Sequence, residues 1–222
     1  MSWTGFAAVF VAFFLTHSVP VRPLIKSRLV ALLGQTGFGV AYSALSLSML
    51  ALLIWSAGEA PYVPLWSQMA WQRHAAHLGM FAVCLILALS IARPNPFSFG
   101  GARNDRFDPA GPGLIRWTRH PILLALALWA SVHVLPNGDL AHVILFAVLG
   151  CFALIGRALI DRRTKGRLGR ETWIEIDRRR RNAPLIHAPA SWTGLGLRLL
   201  AGVSVYAALL WAHPFIIGVP AL

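Results

Sequence analysis

The chain has 222 residues, of which 57% are hydrophobic and 13% charged, with a formal net charge of +12. Its mean hydropathy of +0.62 excludes an ordinary soluble domain and predicts a multi-pass helical membrane protein. Because the basic residues lie between apolar runs, the charge predicts contact with anionic lipid headgroups and not with nucleic acid.

Six apolar runs are predicted to form membrane helices, at roughly 3–20, 35–57, 75–92, 121–135, 140–160 and 195–213. The first run lacks the basic start of a signal peptide, so we expect it to be retained. The fourth run gives roughly 22 Å of helix, which is shorter than the ~30 Å hydrocarbon core. The sequence thus predicts an all-α, polytopic membrane bundle of about six transmembrane helices, forming a single domain over residues 1–222.

The links between these runs alternate in charge. Those after the first, third and fifth runs are basic, and the fifth link ends in the arginine run Arg178–Arg181. The positive-inside rule therefore assigns these three links to the cytoplasm and both termini to the opposite side. Five tryptophans then fall at the outer interface, as an aromatic belt: Trp3, Trp55, Trp66, Trp71 and Trp211. We expect the arginine run to contact lipid headgroups.

A turn sequence, Pro136-Asn137-Gly138-Asp139, joins the fourth and fifth runs. Proline presets φ, asparagine and glycine accept positive φ, and Asp139 is suited to cap the next helix. The turn is either a short external loop or the tip of a hairpin buried in the membrane. A buried tip must be covered by protein and could adjoin a cofactor.

Histidines within membrane helices are the first candidates for function, because hydrocarbon offers them no partner. His17 is either a hydrogen-bonded polar helix end or an iron ligand, and the same ligand role is open for His133. For His142 we favour a hydrogen bond to the turn backbone.

Arg119-His120-Pro121 opens the fourth run, where proline is ordinary at a first helical position. Arg119 and His120 either mark a simple helix start or recognise an anion or cofactor together. Asp161 closes the fifth run, and we expect it to pair with an arginine, for which Arg157 one helical turn earlier is a candidate.

These pieces together resemble the NnrU family of bacterial integral membrane proteins, associated with nitrite and nitric oxide reduction. The resemblance covers nearly the whole chain and rests on the order of several short motifs. They are Thr16-His17-Ser18 with Arg22, Arg119-His120-Pro121, Trp129 to His133, Asn137-Gly138-Asp139, Asp161-Arg162-Arg163, and Ala212-His213-Pro214-Phe215 with Gly218. It implies a multi-pass protein of the bacterial inner (cytoplasmic) membrane.

NnrU proteins in turn resemble zeta-carotene isomerases, which are membrane enzymes with histidine-ligated haem b. That resemblance implies His17 and His133 as the iron ligands, with Arg119 and His120 meeting propionates. The isomerase cysteine after the tryptophan is Ala130 here, so a thiolate ligand is lacking. Counted from the nearest arginine, His17 lies about 8 Å deep and His133 about 21 Å, so His17 with His120 fits the depths better.

A second resemblance is to isoprenylcysteine carboxyl methyltransferases, which use S-adenosylmethionine. It rests on Arg119-His120-Pro121, the helical hairpin, Arg162-Arg163 and Glu171. Two positions depart from that pattern, because Asp161 replaces a glutamate and Trp173 replaces a tyrosine.

The expected function is therefore that of a haem-binding membrane protein that supports denitrification, with isomerase-like or redox activity on an apolar small molecule. A membrane methyltransferase and a non-catalytic assembly factor for a reductase are the alternatives.

Overall fold

A computed structural model describes residues 1–220. Within this range the regular structure is helical, apart from an isolated antiparallel bridge between Pro64 and Asp139. The α-helices are α1 (Trp3–Ser18), α2 (Pro23–Gly58), α3 (Ala70–Ser90), α4 (Pro121–Val134), α5 (Leu140–Leu168), α6 (Arg170–Asn182) and α7 (Trp192–Ile217). Short 3-10 turns lie at Asn104–Arg106 and Gly113–Arg116. The predicted all-α membrane bundle is confirmed.

Four helices, α2, α3, α5 and α7, are long and apolar enough to cross a membrane. The helices α1 and α4 are apolar but have only 16 and 14 residues. A spanning helix usually needs about 20 residues. The predicted number of six spans and the predicted side of the termini stay predictions.

Two helices, α2 and α5, extend furthest beyond their predicted bounds. Helix α2 begins at Pro23, and a kink at Gly34, whose φ is +73°, divides it. Lys26 therefore lies in helix and not in the first link. Helix α5 continues to Leu168, so the prediction that it ends at Asp161 is wrong. Polar residues on one face do not end a helix whose other face remains packed.

Helix α6 lies where the sequence predicted only a basic link. Its buried residues Trp173, Asp177 and Arg180 are spaced i, i+4 and i+7, so they share one face. That face includes an aspartate and an arginine, and for this reason apolar periodicity alone did not reveal the helix. The residues on its other faces are mostly exposed.

The contacts within the chain define two compact units. The first comprises residues 1–67 and 138–145. In it α1 packs against α2, and the segment before α3 covers the predicted turn. The carbonyl oxygen of Gly138 accepts hydrogen bonds from the backbone nitrogens of Leu65 (2.7 Å) and Trp66 (3.2 Å). The Gly138 carbonyl of the turn is thus satisfied by protein. The prediction of a single domain over the chain stays a prediction.

The second unit comprises residues 68–137 and the chain from residue 146 onward. Here α3 packs against both α4 and α7. Glycines permit the close approach: a Cβ on Gly79 would lie 2.3 Å from Cγ1 of Val132, and one on Gly202 would lie 3.0 Å from Cδ2 of Leu85. Small residues at such contacts are typical of helix packing in membranes.

Candidate functional site

The start of α4 carries an ion-paired cluster in the second unit. Arg119 forms a fork on Asp161, with 2.6 Å from Nη2 to Oδ2 and 3.2 Å from Nε to Oδ1. The ring of His120 contacts the same carboxylate, at 2.9 Å from Nε2 to Oδ1. The expectation that Asp161 pairs with an arginine is confirmed, but the partner is Arg119 and not Arg157. Helix α5 instead aims Asp161 at the two residues before α4, which are 41 and 42 positions away in sequence.

The contacts of His120 fix which of its ring nitrogens carries the proton. A carboxylate only accepts, so Nε2 bears the hydrogen and donates it to Asp161. In the neutral ring Nδ1 then accepts, and it lies 3.1 Å from Oγ of Ser98. The His120 side chain is 2% exposed and Ser98 is 8% exposed. The result is a buried chain of hydrogen bonds from Ser98 through His120 to Asp161.

A second carboxylate, Asp177 of α6, extends the cluster. It accepts from Nη1 of Arg119 at 3.3 Å and from Nε of Arg180 at 2.8 Å. Arg180 also donates through Nη1 to the carbonyls of Ile115 and Arg116, both at 2.8 Å. Arg180 is 5% exposed, so the predicted headgroup contact is wrong for this member of the arginine run. Its charge is paired with the Asp177 carboxylate inside the protein.

Trp173 joins α6 to this cluster through its indole ring. Two cations lie over the ring, Arg119 at 5.0 Å and Lys165 at 4.3 Å from its centroid. Its Nε1 donates to Oγ1 of Thr164 at 3.2 Å, and Phe97 meets it edge to face. A buried indole with its N–H satisfied and cations on its face is a stable arrangement.

Burial and charge set the protonation of the cluster. Burial lowers the pKa of His120 below its ordinary value, although Asp161 partly offsets the effect. Burial alone would raise the pKa of Asp177, but its hydrogen bond with Arg180 and the charges of Arg180 and Arg119 hold that pKa below the usual range. At neutral pH the cluster therefore contains a neutral imidazole between charged groups.

The opposite end of α4 carries His133 in a different setting. Its Nδ1 lies 2.7 Å from the carbonyl oxygen of Trp129, one turn earlier. A carbonyl only accepts, so Nδ1 carries the hydrogen and the lone pair of the neutral ring is on Nε2. The rings of Trp129 and Phe146 flank it, with centroids at 5.3 and 5.0 Å. This orientation of an imidazole by a backbone carbonyl is typical of histidine metal ligands.

The sequence matches one known protein family over nearly its whole length. The model of the family described as NnrU protein matches residues 5–221. The chain belongs to the NnrU family. No curated protein and no solved structure matches it.

His17 and His142 lie in the first unit of this NnrU family member. The carbonyl of His17 accepts from Oη of Tyr42 at 2.8 Å, and the His17 ring stacks on Phe13 with centroids at 5.5 Å. His142 contacts the Asp139 carboxylate through Nδ1, at 2.7 Å, and not the turn backbone as we expected. Asp139 also accepts from the His142 backbone nitrogen at 3.2 Å, which confirms its predicted capping role.

Of the four residues proposed for a cofactor, the structure brings Arg119 and His120 together on Asp161. His17 lies in the first unit and His133 in the second. Their joint role as ligands, and the binding of an anion or propionate by Arg119 and His120, stay predictions. Among residues 1–220, no group of three or more histidines, cysteines and acidic residues could hold a metal ion. A haem needs only two axial ligands, so this finding does not bear on it.

Sequence reasoning missed Ser98 and Asp177. Ser98 lies in a buried loop segment with Asn95, whose side-chain amide donates to the Arg119 carbonyl at 3.0 Å. A signal for Asp177 was present, because its spacing to Arg180 and Arg181 is that of helical ion pairs.

Proposed function

We propose that this NnrU family member is a haem-binding protein of the bacterial inner membrane that supports nitrite and nitric oxide metabolism. The observation that carries the proposal is the state of His133. Its Nδ1 hydrogen is used by the Trp129 carbonyl, which leaves the basic Nε2 lone pair for a ligand. Neutral imidazole with its second nitrogen so oriented binds iron well.

The surroundings of His133 also suit a haem. A macrocycle needs apolar contact around its ligand, and Trp129 and Phe146 supply aromatic surface there. His133 is half-buried. When bound, haem b would supply one-electron redox chemistry or, as the isomerase resemblance implies, isomerisation of an apolar molecule. The residues of the chain would orient the ligand and exclude water around it.

His17 is the proposed partner ligand. It lies near the C-terminal end of α1 among aromatic rings, with Phe13 on one side and Tyr42 at 5.7 Å between centroids. Support for the pair comes from the family resemblance and from this apolar setting of each ring.

The test is an absorption spectrum of the purified protein in mild detergent, oxidised and then reduced with dithionite. We expect a Soret band with resolved α and β bands, which indicates low-spin haem with two protein ligands. His17→Ala and His133→Ala should each lose the low-spin spectrum. The control His74→Ala removes an exposed histidine and should leave the spectrum unchanged.

Two results would contradict the proposal. A featureless spectrum after expression with ample haem would reject haem binding and direct attention to S-adenosylmethionine, tested by calorimetric titration. An unchanged spectrum in both histidine variants would reject the ligand pair while leaving haem binding intact.

A further inference from the structure

We infer that Ser98, His120 and Asp161 form a nucleophilic triad that cleaves a carboxylic ester of an amphiphilic molecule. The three side chains come from the loop after α3, the residue before α4, and α5. The inference does not depend on the haem site proposed above, because it uses neither His17 nor His133. It gives His120 the role of a base in place of the expected role of an anion donor.

The side chains of Ser98, His120 and Asp161 are placed for proton transfer. Oγ of Ser98 lies 3.1 Å from Nδ1 of His120, and Nε2 of the same ring lies 2.9 Å from Oδ1 of Asp161. Because Nε2 donates to the carboxylate, Nδ1 is the basic nitrogen and faces the serine hydroxyl. Serine, base and orienting carboxylate are thus in hydrogen-bond contact in the order that nucleophilic catalysis requires. The two ring nitrogens are used in the opposite sense to the chymotrypsin arrangement.

The base, His120, is held in a fixed orientation by its neighbours. Asp161 is held by the fork from Arg119, so its carboxylate stays on the His120 ring. His120 is 2% exposed and has a partner on each nitrogen. Asp161 is therefore a positioning residue, which keeps the tautomer in which Nδ1 is free to accept a proton. The burial that lowers the pKa of His120 keeps the ring neutral at physiological pH.

The backbone that follows Ser98 offers N–H groups beside the nucleophile. The N–H groups of Phe99 and Gly100 have no hydrogen-bond acceptor in the described chain, whereas the N–H of Phe97 donates to Oδ1 of Asn95. Gly100 has a φ of +78°, and a Cβ there would lie 2.2 Å from Cδ1 of Ile122, so the position requires glycine. Uncommitted N–H groups next to a nucleophile are suited to stabilise an oxyanion.

The substrate class follows from the residues around Ser98. Ser98 is 8% exposed, but the next residue, Phe99, is 47% exposed and offers an apolar surface. The loop follows α3, a candidate membrane span. An acyl chain packed on Phe99 would bring an ester carbonyl to the serine. This setting favours an ester with an acyl chain over a charged, water-soluble ester.

The reaction balances without a cofactor. As Oγ of Ser98 bonds to the carbonyl carbon, its proton moves to Nδ1 of His120. The carbon–oxygen bond to the alcohol then breaks, and the alkoxide takes that proton and leaves as an alcohol. Water attacks the acyl-serine by the same route, so that its proton passes through His120 and the acid and free serine are released.

The test is covalent labelling of the full-length protein in mild detergent with a long-chain alkyl fluorophosphonate, and the labelled site is mapped by mass spectrometry. We expect the label on Ser98 of the unmutated protein. His120→Gln should slow labelling about 100-fold, since a positioned general base contributes at least that factor. The control Ser131→Ala removes a hydroxyl that donates to the Ala127 carbonyl, and it should change nothing.

Each other outcome overturns the inference. No label on Ser98 of the folded protein, a label on another serine, or equal labelling of His120→Gln would each mean that the hydrogen-bond chain is structural. Because the site is mapped on the unmutated protein, the result does not depend on whether Ser98→Ala folds.

Discussion

The two ends of α4 treat their histidines in opposite ways. At its start His120 has a partner on each ring nitrogen, and the adjacent Arg119 contacts two carboxylates. At its end the ring of His133 forms a hydrogen bond through Nδ1 to a carbonyl of its own helix. Both ring nitrogens of His120 are thus engaged, whereas Nε2 of His133 is available to a ligand. The difference separates a histidine that is fixed by partners from the loop after α3 and from α5 from a histidine that contacts mainly its own helix and Phe146.

The energetic reasons for the two arrangements also differ. A buried charge that loses its partner is costly, so the groups around Asp161 and Asp177 are expected to depend on one another. A neutral imidazole within an apolar helix needs only its N–H satisfied, and a carbonyl one turn away suffices. Stability should therefore respond strongly to changes at the start of α4 and weakly to changes at its end.

The largest effect is expected from Asp161→Asn. This change removes the charge that Arg119 and His120 share, and we expect the free energy of unfolding to fall by about 2–4 kcal/mol. Thermal unfolding in detergent measures it. The matched control is Glu175→Gln, which removes the ion pair between Glu175 and Arg178. Their side chains are 50% and 68% exposed, respectively, so this pair should contribute about 0–1 kcal/mol. An equal loss of free energy of unfolding in the two variants would mean that the buried pairs of Asp161 stabilise the protein no more than an exposed ion pair does.

A smaller loss is expected from Gly79→Ala, which acts on the last turns of α4. The new Cβ would meet Val132, the neighbour of His133, at 2.3 Å. We expect the clash to cost about 1–3 kcal/mol. In the control Gly39→Ala the added Cβ has nothing within 4 Å, and the change should stabilise the helix by about 0.5–1 kcal/mol. If both variants are stabilised, the α3–α4 contact is looser than described.

Mild acid should destabilise the protein through His120. Its pKa is lowered in the folded state, so below about pH 6.5 the unfolded chain binds the proton more readily. The thermal midpoint should therefore fall by a few degrees between about pH 7.5 and pH 5.5. Asp177, whose folded pKa is also lowered, adds a further loss only at more acidic pH. His120→Gln should flatten the profile above pH 5.5; an unchanged slope would assign the effect elsewhere.

The smallest effect on stability is expected from His133→Phe. The aromatic contacts with Trp129 and Phe146 are kept and one side-chain hydrogen bond is lost, so the change should be below about 1 kcal/mol. The low-spin haem spectrum should nevertheless be lost in the same preparation, as measured by its absorbance per mole of protein. A large loss of stability would mean that the His133 ring stabilises the fold through more than its single ring hydrogen bond.

The sequence predicted the apolar helices well because hydrocarbon demands long runs of apolar residues, and such runs are visible locally. It also singled out Arg119 and His120, which are adjacent at a helix start, although the anion or cofactor binding predicted for them stays a prediction. It could not predict their partners: Asp161 and Asp177 lie about 40 and 60 positions away, and spacing rules for ion pairs cover only three or four residues.

Other errors have a common physical origin. The run Arg178–Arg181 predicts a contact with lipid headgroups, because basic residues are attracted to an anionic membrane surface. In the structure a tertiary partner, the carboxylate of Asp177, and two backbone carbonyls make the burial of Arg180 favourable. Ser98 carried no local signal, because its significance arises only from the position of His120 across the fold.

The docking of α6 has a consequence for proteolysis. Four consecutive arginines would ordinarily be cut by trypsin at once, but a protease needs an extended stretch of backbone, and here that backbone is helical and anchored by Trp173 and Arg180. The following residues 183–191 contain no lysine or arginine. Tryptic cleavage between Arg178 and Arg181 would therefore report the detachment of α6, and its rate would measure how often this helix opens.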